Sequence, residues 1–309
     1  MEYVITGGAG FIGSNIAKLL LKEDHTVTIL DNLNTGKMEN IESIKNKINF
    51  VNGDIRDTTL LDNLFKNIDG VFHEAALASV QESFNKADEY HEVNVVGTEN
   101  IFKLAQQHGF KVVCASSSSV YGNPIKIPIE ESDPKNPINP YAQTKLDDEK
   151  LATEYARKGA RIIGLRYFNV FGERQSDTYA GVVKKFLKKA MNNQSPIING
   201  KGLQSRDFVY VEDVANANYL AMKSSVKHGF FNIGSSTTIS VNELANLIIK
   251  EFGLNLKPIH GPELPGDVQT TRADISQAKK LLNWEPKIEI KEWLSKIINE
   301  KTNLDLIID

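Results

Sequence analysis

In the first half of the chain, short apolar runs rich in β-branched residues alternate with longer stretches whose apolar residues recur at helical spacing. The short runs predict strands at Tyr3–Thr6, Thr26–Asp31, Asn49–Val51, Gly70–His73, Lys111–Ser116 and Arg161–Leu165. The longer stretches predict helices that begin near Phe11, Thr58, Tyr90 and Tyr141. Because strands that alternate with helices form right-handed βαβ units, we predict an α/β fold of the Rossmann type, with a doubly wound parallel sheet.

The second half of the chain is less regular, with loops rich in Pro and Gly. Helical patterns occur near 181–192, 212–223, 241–252, 275–282 and 290–299. Ser240 and Glu243 have the spacing of a capping box, which marks a helix start. We therefore predict a Rossmann domain at residues 1–168 and, at 169–309, mainly a smaller α/β domain that binds substrate, with 206–224 returning to the first domain.

The composition of the chain excludes several function classes. Its 309 residues are 41% hydrophobic and 24% charged, with a net charge of −3, which is ordinary for a globular protein. This balance offers no basic face for nucleic-acid phosphates, and the densest basic cluster, Lys184–Lys189, has the spacing of a solvated helix face. No apolar run approaches the ~18 residues of a membrane span, and the strand predicted at residues 2–6 leaves no room for a signal peptide. We therefore expect a cytoplasmic protein with no nucleic-acid or membrane partner.

Cysteine and histidine suggest no further chemistry. The single cysteine, Cys114, excludes an internal disulfide and lies in an apolar run, which predicts a buried thiol. The six histidines show no metal-ligand spacing, so no metal site is predicted.

A glycine-rich turn follows the first predicted strand and opens the first predicted helix. Gly7, Gly10 and Gly13 have the spacing of a dinucleotide fingerprint, in which glycines allow a tight turn and close approach of a pyrophosphate. The helix N-terminus then offers free N–H groups to the phosphates. Asp31 ends the second strand 18 residues after Gly13, where a carboxylate binds the ribose 2′-hydroxyl of NAD and repels the 2′-phosphate of NADP. The sequence therefore predicts NAD as the cofactor.

A second motif starts the helix predicted near Tyr141, with Asn139 at the cap and Pro140 in the first turn. Tyr141 and Lys145 lie four residues apart on one helical face. A tyrosine titrates near 10, and lowering its pKa by ~3 units requires about 4 kcal/mol, which Lys145 and a positive nicotinamide ring could supply. The preceding strand ends in the serine run Ser116–Ser119, which places hydroxyls where such folds bind ligands. Tyr141, Lys145 and one serine form the predicted catalytic group.

Further motifs accompany these residues: Asp54-Ile55, His73-Glu74-Ala75-Ala76, Asn94-Val95-Val96-Gly97-Thr98 and Arg166-Tyr167-Phe168-Asn169-Val170-Phe171-Gly172. Together with the glycine turn, the serine run and the Tyr141/Lys145 pair, they resemble the extended short-chain dehydrogenase/reductases, and within these the UDP-hexose 4-epimerases. The resemblance extends from residue 3 to about residue 295. It implies a reversible oxidation at the sugar C4. Tyr141 removes the proton of the 4-hydroxyl while hydride passes to NAD, and the 4-keto sugar turns and is reduced on its other face.

The same resemblance implies two sets of binding residues. The cofactor set is Gly7, Gly10, Phe11, Ile12, Gly13, Asp31, Asn32, Thr35, Asp54, Ile55, Ala75, Ala76, Asn94, Tyr141 and Lys145. The set for a UDP-sugar substrate is Ser117, Ser118, Tyr141, Asn169, Val182, Arg206, Asp267 and Thr271. Within the substrate set, Ser117 is the catalytic hydroxyl, Arg206 holds the diphosphate and Thr271 faces the substituent at the sugar C2. Because Thr271 is small, we expect UDP-GlcNAc and UDP-GalNAc to be accepted as well as UDP-Glc and UDP-Gal.

Other members of the superfamily remain as alternatives. Nucleotide-sugar 4,6-dehydratases carry an acid pair after the catalytic hydroxyl, whereas this chain has Ser118-Ser119, which disfavours elimination. UDP-glucuronate 4-epimerases share the serine run but usually have Thr at the position of Asn169, and they are the second candidate. A non-catalytic NAD-binding regulator is the third, against which intact Ser117, Tyr141 and Lys145 argue.

One position departs from the family pattern, since Leu264 stands where these epimerases often have an arginine. Arg206, or a neighbour such as Arg174, Lys201 or His260, could then carry more of the diphosphate charge. The resemblance also implies a homodimer, formed through helices around 88–107 and 141–158.

Overall fold

The computed structural model describes residues 1–175, 181–263 and 268–300. In chain order its strands are β1 (Glu2–Thr6), β2 (Thr26–Asp31), β3 (Asn49–Asn52), β4 (Gly70–His73), β5 (Lys111–Ser117), β6 (Arg161–Tyr167), β7 (Asn169–Phe171), β8 (Ile197–Asn199), β9 (Ser205–Arg206), β10 (Phe208–Tyr210), β11 (His228–Ile233), β12 (Ile239–Ser240) and β13 (Ile259–Gly261). Seven of them form one sheet in the order β11-β6-β5-β4-β1-β2-β3, and each neighbouring pair is parallel. The predicted Rossmann-type α/β fold is therefore confirmed.

The α-helices also follow the sequence pattern closely. They are α1 (Phe11–Lys22), α2 (Thr58–Leu64), α3 (Val80–Ser83), α4 (Ala87–Tyr90), α5 (Gly97–His108), α6 (Pro140–Arg157), α7 (Val182–Met191), α8 (Val211–Lys223), α9 (Val241–Glu251) and α10 (Ile290–Glu300). A π-helical stretch, His91–Val96, joins α4 to α5, and another lies at Ala278–Leu282. The predicted capping box is present, because Ser240 accepts from the Glu243 N–H and Glu243 bonds back to Ser240.

Apolar side chains cover both faces of the main sheet, as its non-alternating strands require. On β5, Val113 joins a core cluster with residues of α1 and α8, whereas its neighbour Val112 joins a cluster with residues of α5 and α6. Val112 and Val113 are both fully buried. The carboxyl ends of the central strands are consequently held in fixed positions by helices on both sides.

A third core cluster holds together several elements after β6. It joins side chains of α7, α9 and α10 to the two-stranded β7–β10 pair, with Phe171, Phe186 and Trp293 among its members. Between these elements the chain returns to the main sheet, where α8 packs against α1 and β11 pairs with β6. The division into two domains at residue 168 stays a prediction, and β11 is a sheet strand that the pattern did not predict.

Two expectations from the sequence concern burial: that Cys114 is buried and that Lys184–Lys189 are exposed to solvent. Cys114 is buried, as predicted. The prediction that Lys184–Lys189 form a solvated face is wrong for Lys184, which is only 1% exposed and donates from its Nζ to the Gln175 carbonyl at 2.7 Å. Its position on the inward face of α7 explains the burial. Within the described ranges, no helix has both the length and the apolar composition of a membrane span.

Candidate active site

A cavity opens at the carboxyl ends of β1, β4, β5 and β6, where folds of this type bind ligands. It has two adjoining lobes of about 600 Å³ and about 360 Å³. Both lobes are lined by Gly7, Gly10, Thr35, Glu74 and Ala76, which therefore form the waist between them. The combined volume suits an extended ligand with two parts.

The glycine turn between β1 and α1 forms one side of this waist. Gly7 has a φ of +70°, and a Cβ there would lie 2.6 Å from the Ala75 backbone nitrogen. A Cβ on Gly13 would overlap the Gly7 carbonyl oxygen and lie 2.8 Å from the Gly8 Cα. α1 begins at Phe11, so its first N–H groups face the cavity beside Phe11 and Ile12. This cradle fits a dinucleotide pyrophosphate, because backbone can approach the phosphates only where side chains are absent.

The smaller lobe contains the residues predicted near the adenosine of NAD, Asp31, Asn32, Thr35, Asp54 and Ile55, together with Ala75 and Ala76, which were predicted to line the cofactor channel. Asp31 accepts from the Ala9 N–H at 2.9 Å and the Leu33 N–H at 2.8 Å, which fixes the carboxylate at the end of β2. A forked hydrogen bond from Arg56 lowers the pKa of Asp54 to about 2. The lobe therefore presents ionised or hydrogen-bonding groups suited to ribose hydroxyls.

Asn94 was predicted to line the cofactor channel, and it does not belong to the described part of the cavity wall. The side chain is fully buried. Its amide exchanges hydrogen bonds with the Leu77 N–H and carbonyl and also donates to Thr144 Oγ1 at 3.0 Å. Among the described residues, Asn94 thus holds the loop after β4 against α6.

The larger lobe brings Ser117, Tyr141 and Lys145 together. Asn139 caps α6 by accepting from the Ala142 N–H at 2.8 Å, and Pro140 occupies the first turn, as predicted. Lys145 is 3% exposed. Burial works against its charge, but the negative charges of Asp148 and of an ionised Tyr141 raise the pKa of Lys145. The ammonium is therefore held charged in the cavity wall, near the tyrosine.

Hydrogen bonds distinguish the serines at the carboxyl end of β5. Ser116 donates to Glu149 at 2.6 Å, so its hydroxyl proton is already used. Ser117 instead accepts from the Ser119 N–H and hydroxyl, which leaves its own proton able to reach a ligand in the cavity. Ser118 lies in a 3-10 turn and is not in the described part of the wall. The geometry agrees with the selection of Ser117 as the reacting hydroxyl.

Of the predicted substrate residues, Asn169, Val182 and Arg206 also line the larger lobe. Asn169 donates to the Asp207 carbonyl at 3.0 Å, which ties β7 to the segment that carries Arg206. Thr271 is buried beside this segment, with its Oγ1 3.4 Å from the Asp207 nitrogen, and does not belong to the described part of the wall. Asp267 and Leu264 lie outside the described residues.

Of the neighbours considered for the diphosphate, Arg174, Lys201 and His260 are not in the described part of the wall. Lys185, on α7, does line it, although the sequence did not single it out.

Glu74 is a functional candidate that the sequence contained but did not assign. It lies at the waist of the cavity, directly after β4, in the quoted His-Glu-Ala-Ala motif. Its Oε1 accepts from the Tyr167 hydroxyl at 2.9 Å, and that hydroxyl accepts from the Asn218 amide at 2.8 Å. Burial raises the pKa of Glu74 to about 8, although the Tyr167 hydrogen bond and the charge of Lys145 lower it. Glu74 is therefore mostly protonated at neutral pH.

Comparison with known proteins places this site in a family. Residues 3–234 match the NAD dependent epimerase/dehydratase family, so the chain belongs to that family. Within it, the chain is an NAD-dependent UDP-sugar 4-epimerase of the extended short-chain dehydrogenase/reductase type, and hence an isomerase.

Relatives match along nearly their whole length. A UDP-glucose 4-epimerase of Halalkalibacterium halodurans is 35% identical over 308 residues, which cover 93% of this chain and 91% of the relative. The structure of a Thermotoga maritima UDP-glucose 4-epimerase with UDP-glucose superposes with a TM-score of 0.91 at 34% identity, covering 98% of this chain and 99% of that one. A Methanobrevibacter ruminantium UDP-N-acetylglucosamine 4-epimerase in complex with UDP-N-acetylmuramic acid has the same TM-score at 35% identity, covering 96% and 97%.

Glu74 leads to a prediction about cofactor binding. An ionised carboxylate at the waist would repel a pyrophosphate held by Gly7 and Gly10, whereas the protonated acid would not. The affinity of the NAD-free protein for NAD should therefore be constant below pH about 8 and fall above it, by up to about tenfold per pH unit. Glu74→Gln, which mimics the neutral acid, should keep high affinity and remove this fall. NAD titration by tryptophan fluorescence between neutral and alkaline pH measures both.

Glu92→Gln supplies the control, because Glu92 is an exposed acid on the π-helical stretch. It should retain the wild-type pH dependence. The same alkaline fall in Glu74→Gln as in wild type would contradict the role of Glu74.

Proposed function

We propose that this UDP-sugar 4-epimerase interconverts UDP-Glc with UDP-Gal and UDP-GlcNAc with UDP-GalNAc, through a transient 4-keto sugar. The observation that carries the proposal is that Ser117, Tyr141 and Lys145 line one lobe of a cavity, with the glycine cradle at its waist and Asp31 in the other lobe. A base, its cationic neighbour and a hydroxyl donor then face the space next to the cofactor.

Each residue has a distinct role in this reaction. Tyr141 takes the proton of the sugar 4-hydroxyl and later returns it to the 4-oxygen. Lys145 stabilises the phenolate by its charge, and Ser117 donates its free proton to the same sugar oxygen. The glycine cradle and Asp31 would hold NAD, which would supply the reversible hydride transfer at C4. Because the proton and the hydride both come back, the reaction has no net redox change.

Recognition of the substrate rests on further residues of the larger lobe. Arg206 and Lys185 bring positive charge to its wall and are suited to the diphosphate. Asn169 and Val182 line the same lobe. Acceptance of an N-acetyl group at C2 rests on the small size of Thr271, the residue that the family resemblance assigns to this position, which lies buried next to the Arg206 segment.

Sugar selectivity gives a direct test. Thr271→Tyr adds a ring next to the Arg206 segment, so it should lower kcat/KM for UDP-GlcNAc by at least about tenfold, while UDP-Glc changes little. A small pocket change of this kind is typically worth about 1–3 kcal/mol. Incubation of wild type and variant with UDP-Glc, UDP-GlcNAc and UDP-GlcA, with products separated by anion exchange, measures the selectivity.

Thr270→Tyr is the matched control, since the Thr270 side chain contacts the Ser205 hydroxyl instead of Asp207. Wild-type enzyme that converted UDP-Glc and left UDP-GlcNAc unchanged would contradict the broad selectivity. Conversion of UDP-GlcA alone would favour the uronate epimerase, and no conversion with any sugar would favour a regulator.

We also infer a homodimer that uses helices around 88–107 and 141–158. Light scattering of the purified protein measures the mass in solution, and a monomer would contradict this inference.

A further inference from the structure

Asp148 is a buried acid beside the Lys145 that lines the cavity. It lies on α6, and its Oδ2 is 3.2 Å from the Lys145 Nζ. The exposed fractions of the two side chains are 6% for Asp148 and 4% for Lys145. The adjacent acids have other partners, because Asp147 forms a surface ion pair and Glu149 binds Arg166 in the core. Asp148 alone of these three faces the reacting side of the helix.

Groups from several elements surround the Lys145 ammonium. Its Nζ donates to the Ala115 carbonyl on β5 at 3.1 Å and to Asp148 on its own helix. The charge of Asp148 and of Tyr141 acts on Lys145, and Lys145 in turn acts on Glu74 after β4. Lys145 therefore divides its electrostatic effect between an acid behind it and the cavity in front of it.

The Asp148 carboxyl depends on this cation. Its Oδ1 has no hydrogen-bond partner among the described residues. Burial raises the pKa of Asp148 to about 7, against the charge of Lys145, which lowers it, and nearby Asp147 and Glu149 add to the rise. Cys114, on β5, adds no charge at neutral pH, because burial raises the pKa of its thiol. A buried carboxylate with one cationic partner is stabilised mainly by that partner, and it reduces the partner's effect on other groups.

We propose that Asp148 is a positioning residue for the reaction: it holds the Lys145 ammonium at the cavity wall and offsets part of its charge, so that Tyr141 can both take and return the proton of the sugar 4-hydroxyl. This inference rests on the proposed function, in which Tyr141 acts as base and acid. An unopposed Lys145 would favour the phenolate and weaken Tyr141 as an acid. In a reversible reaction the same group must work in both directions, and it does so best when its proton affinity matches the working pH.

The test is Asp148→Asn, with Asp147→Asn on the same helix as the matched control. Asp148 is charged mainly above pH about 7, so in that range removal of its charge should move the acid limb of the kcat–pH profile to lower pH by up to about one unit, a tenfold change in an ionisation constant. The tyrosinate titration followed by ultraviolet absorbance should move in the same direction by a similar amount. Subtraction of the Tyr141→Phe spectrum identifies the Tyr141 signal. Asp147→Asn should leave both curves in place.

A second variant guards against a fold defect in Asp148→Asn. Asp148→Ala removes the unpaired oxygen together with the charge and leaves Lys145 its hydrogen bond to the Ala115 carbonyl, so it should show the same shift. Curves that coincide with wild type in the folded variants overturn the proposal. The spectroscopic titration requires no turnover, so it tests Asp148 even if Tyr141→Phe retained activity and thereby contradicted the proposed function.

Discussion

Replacement of Tyr141 by Phe should lower kcat by about 10²–10⁴-fold, which is the usual contribution of a positioned acid or base. The phenol is the one group of the catalytic set able to exchange a proton with the sugar 4-hydroxyl at moderate cost, because Lys145 lies on the same helical face and remains charged. Phe keeps the ring and removes only this proton. The epimerisation rate with UDP-Glc, measured by separation of the products, tests the expected loss.

Tyr155→Phe provides a control on the same helix. Tyr155 is buried, and its hydroxyl donates to Glu99 at 3.1 Å, far along α6 from the catalytic turn. The control should retain most of the wild-type kcat. NAD content should be unchanged in Tyr141→Phe, because the glycine cradle and Asp31 are untouched. Undiminished turnover in Tyr141→Phe would remove the tyrosine from the chemistry and reopen the assignment of the base.

The parts of the site that the sequence predicts are those with local causes. The turn at Gly7 and Gly13 follows from the backbone approach that a pyrophosphate requires. The Tyr141/Lys145 pair follows from the helical repeat and from the cap at Asn139, both of which lie within a few residues. Such features can be derived from spacing, because the chain itself brings the residues together.

Features that depend on pairing between distant segments could not be derived in this way. β11 becomes a sheet strand because Phe231 registers with Leu165 on β6, across a separation that contains α8. Lys184 can be buried because its ammonium donates a hydrogen bond to the Gln175 carbonyl. In both cases the same residues would suit a loop or a solvated helix face if the partner were elsewhere.

The acids around the catalytic helix show the same limit. Asp147, Asp148 and Glu149 are adjacent and chemically similar in the sequence, yet one lies at the surface, one pairs with Lys145 and one pairs with Arg166. Because consecutive residues of a helix point in different directions, these three side chains face different surroundings. What each acid can do then depends on the residues of β5 and β6 that it faces. The sequence therefore shows three adjacent acids on the helix and leaves open which of them is functional.

Glu149 illustrates the energetic consequence of this arrangement. Its carboxylate receives two hydrogen bonds from Arg166, at 2.7 and 2.8 Å, and one from Ser116. Arg166 in turn donates to the Tyr121 hydroxyl and the Glu131 carbonyl. The pair is almost fully buried, with exposed fractions of 6% and 3%. It connects α6 to β5 and β6 directly behind the serine run.

Glu149→Gln should therefore lower the free energy of unfolding by about 3–5 kcal/mol, because it leaves the Arg166 charge buried without a counter-charge. Since Ser116 then shares one neutral amide oxygen with Arg166 instead of binding a carboxylate, the strand end next to Ser117 is held less firmly and kcat should fall as well. Denaturant unfolding followed by circular dichroism measures the change in stability. Glu154→Gln is the control on the same helix: it breaks only a surface pair with Lys158, which is worth about 0–1 kcal/mol.

A double variant tests whether the loss of stability comes from the unpaired charge of Arg166. If the cost of Glu149→Gln comes from the uncompensated guanidinium, then Arg166→Met in the same chain should recover much of the lost stability, because an apolar replacement of a buried ion pair is often neutral. The activity should not recover to the same extent, since the double variant leaves Ser116 without the Glu149 carboxylate and also removes the hydrogen bond from Arg166 to the Tyr121 hydroxyl. Equal stability losses for Glu149→Gln and Glu154→Gln would contradict this explanation and would assign the alignment of β5 with α6 to apolar packing instead.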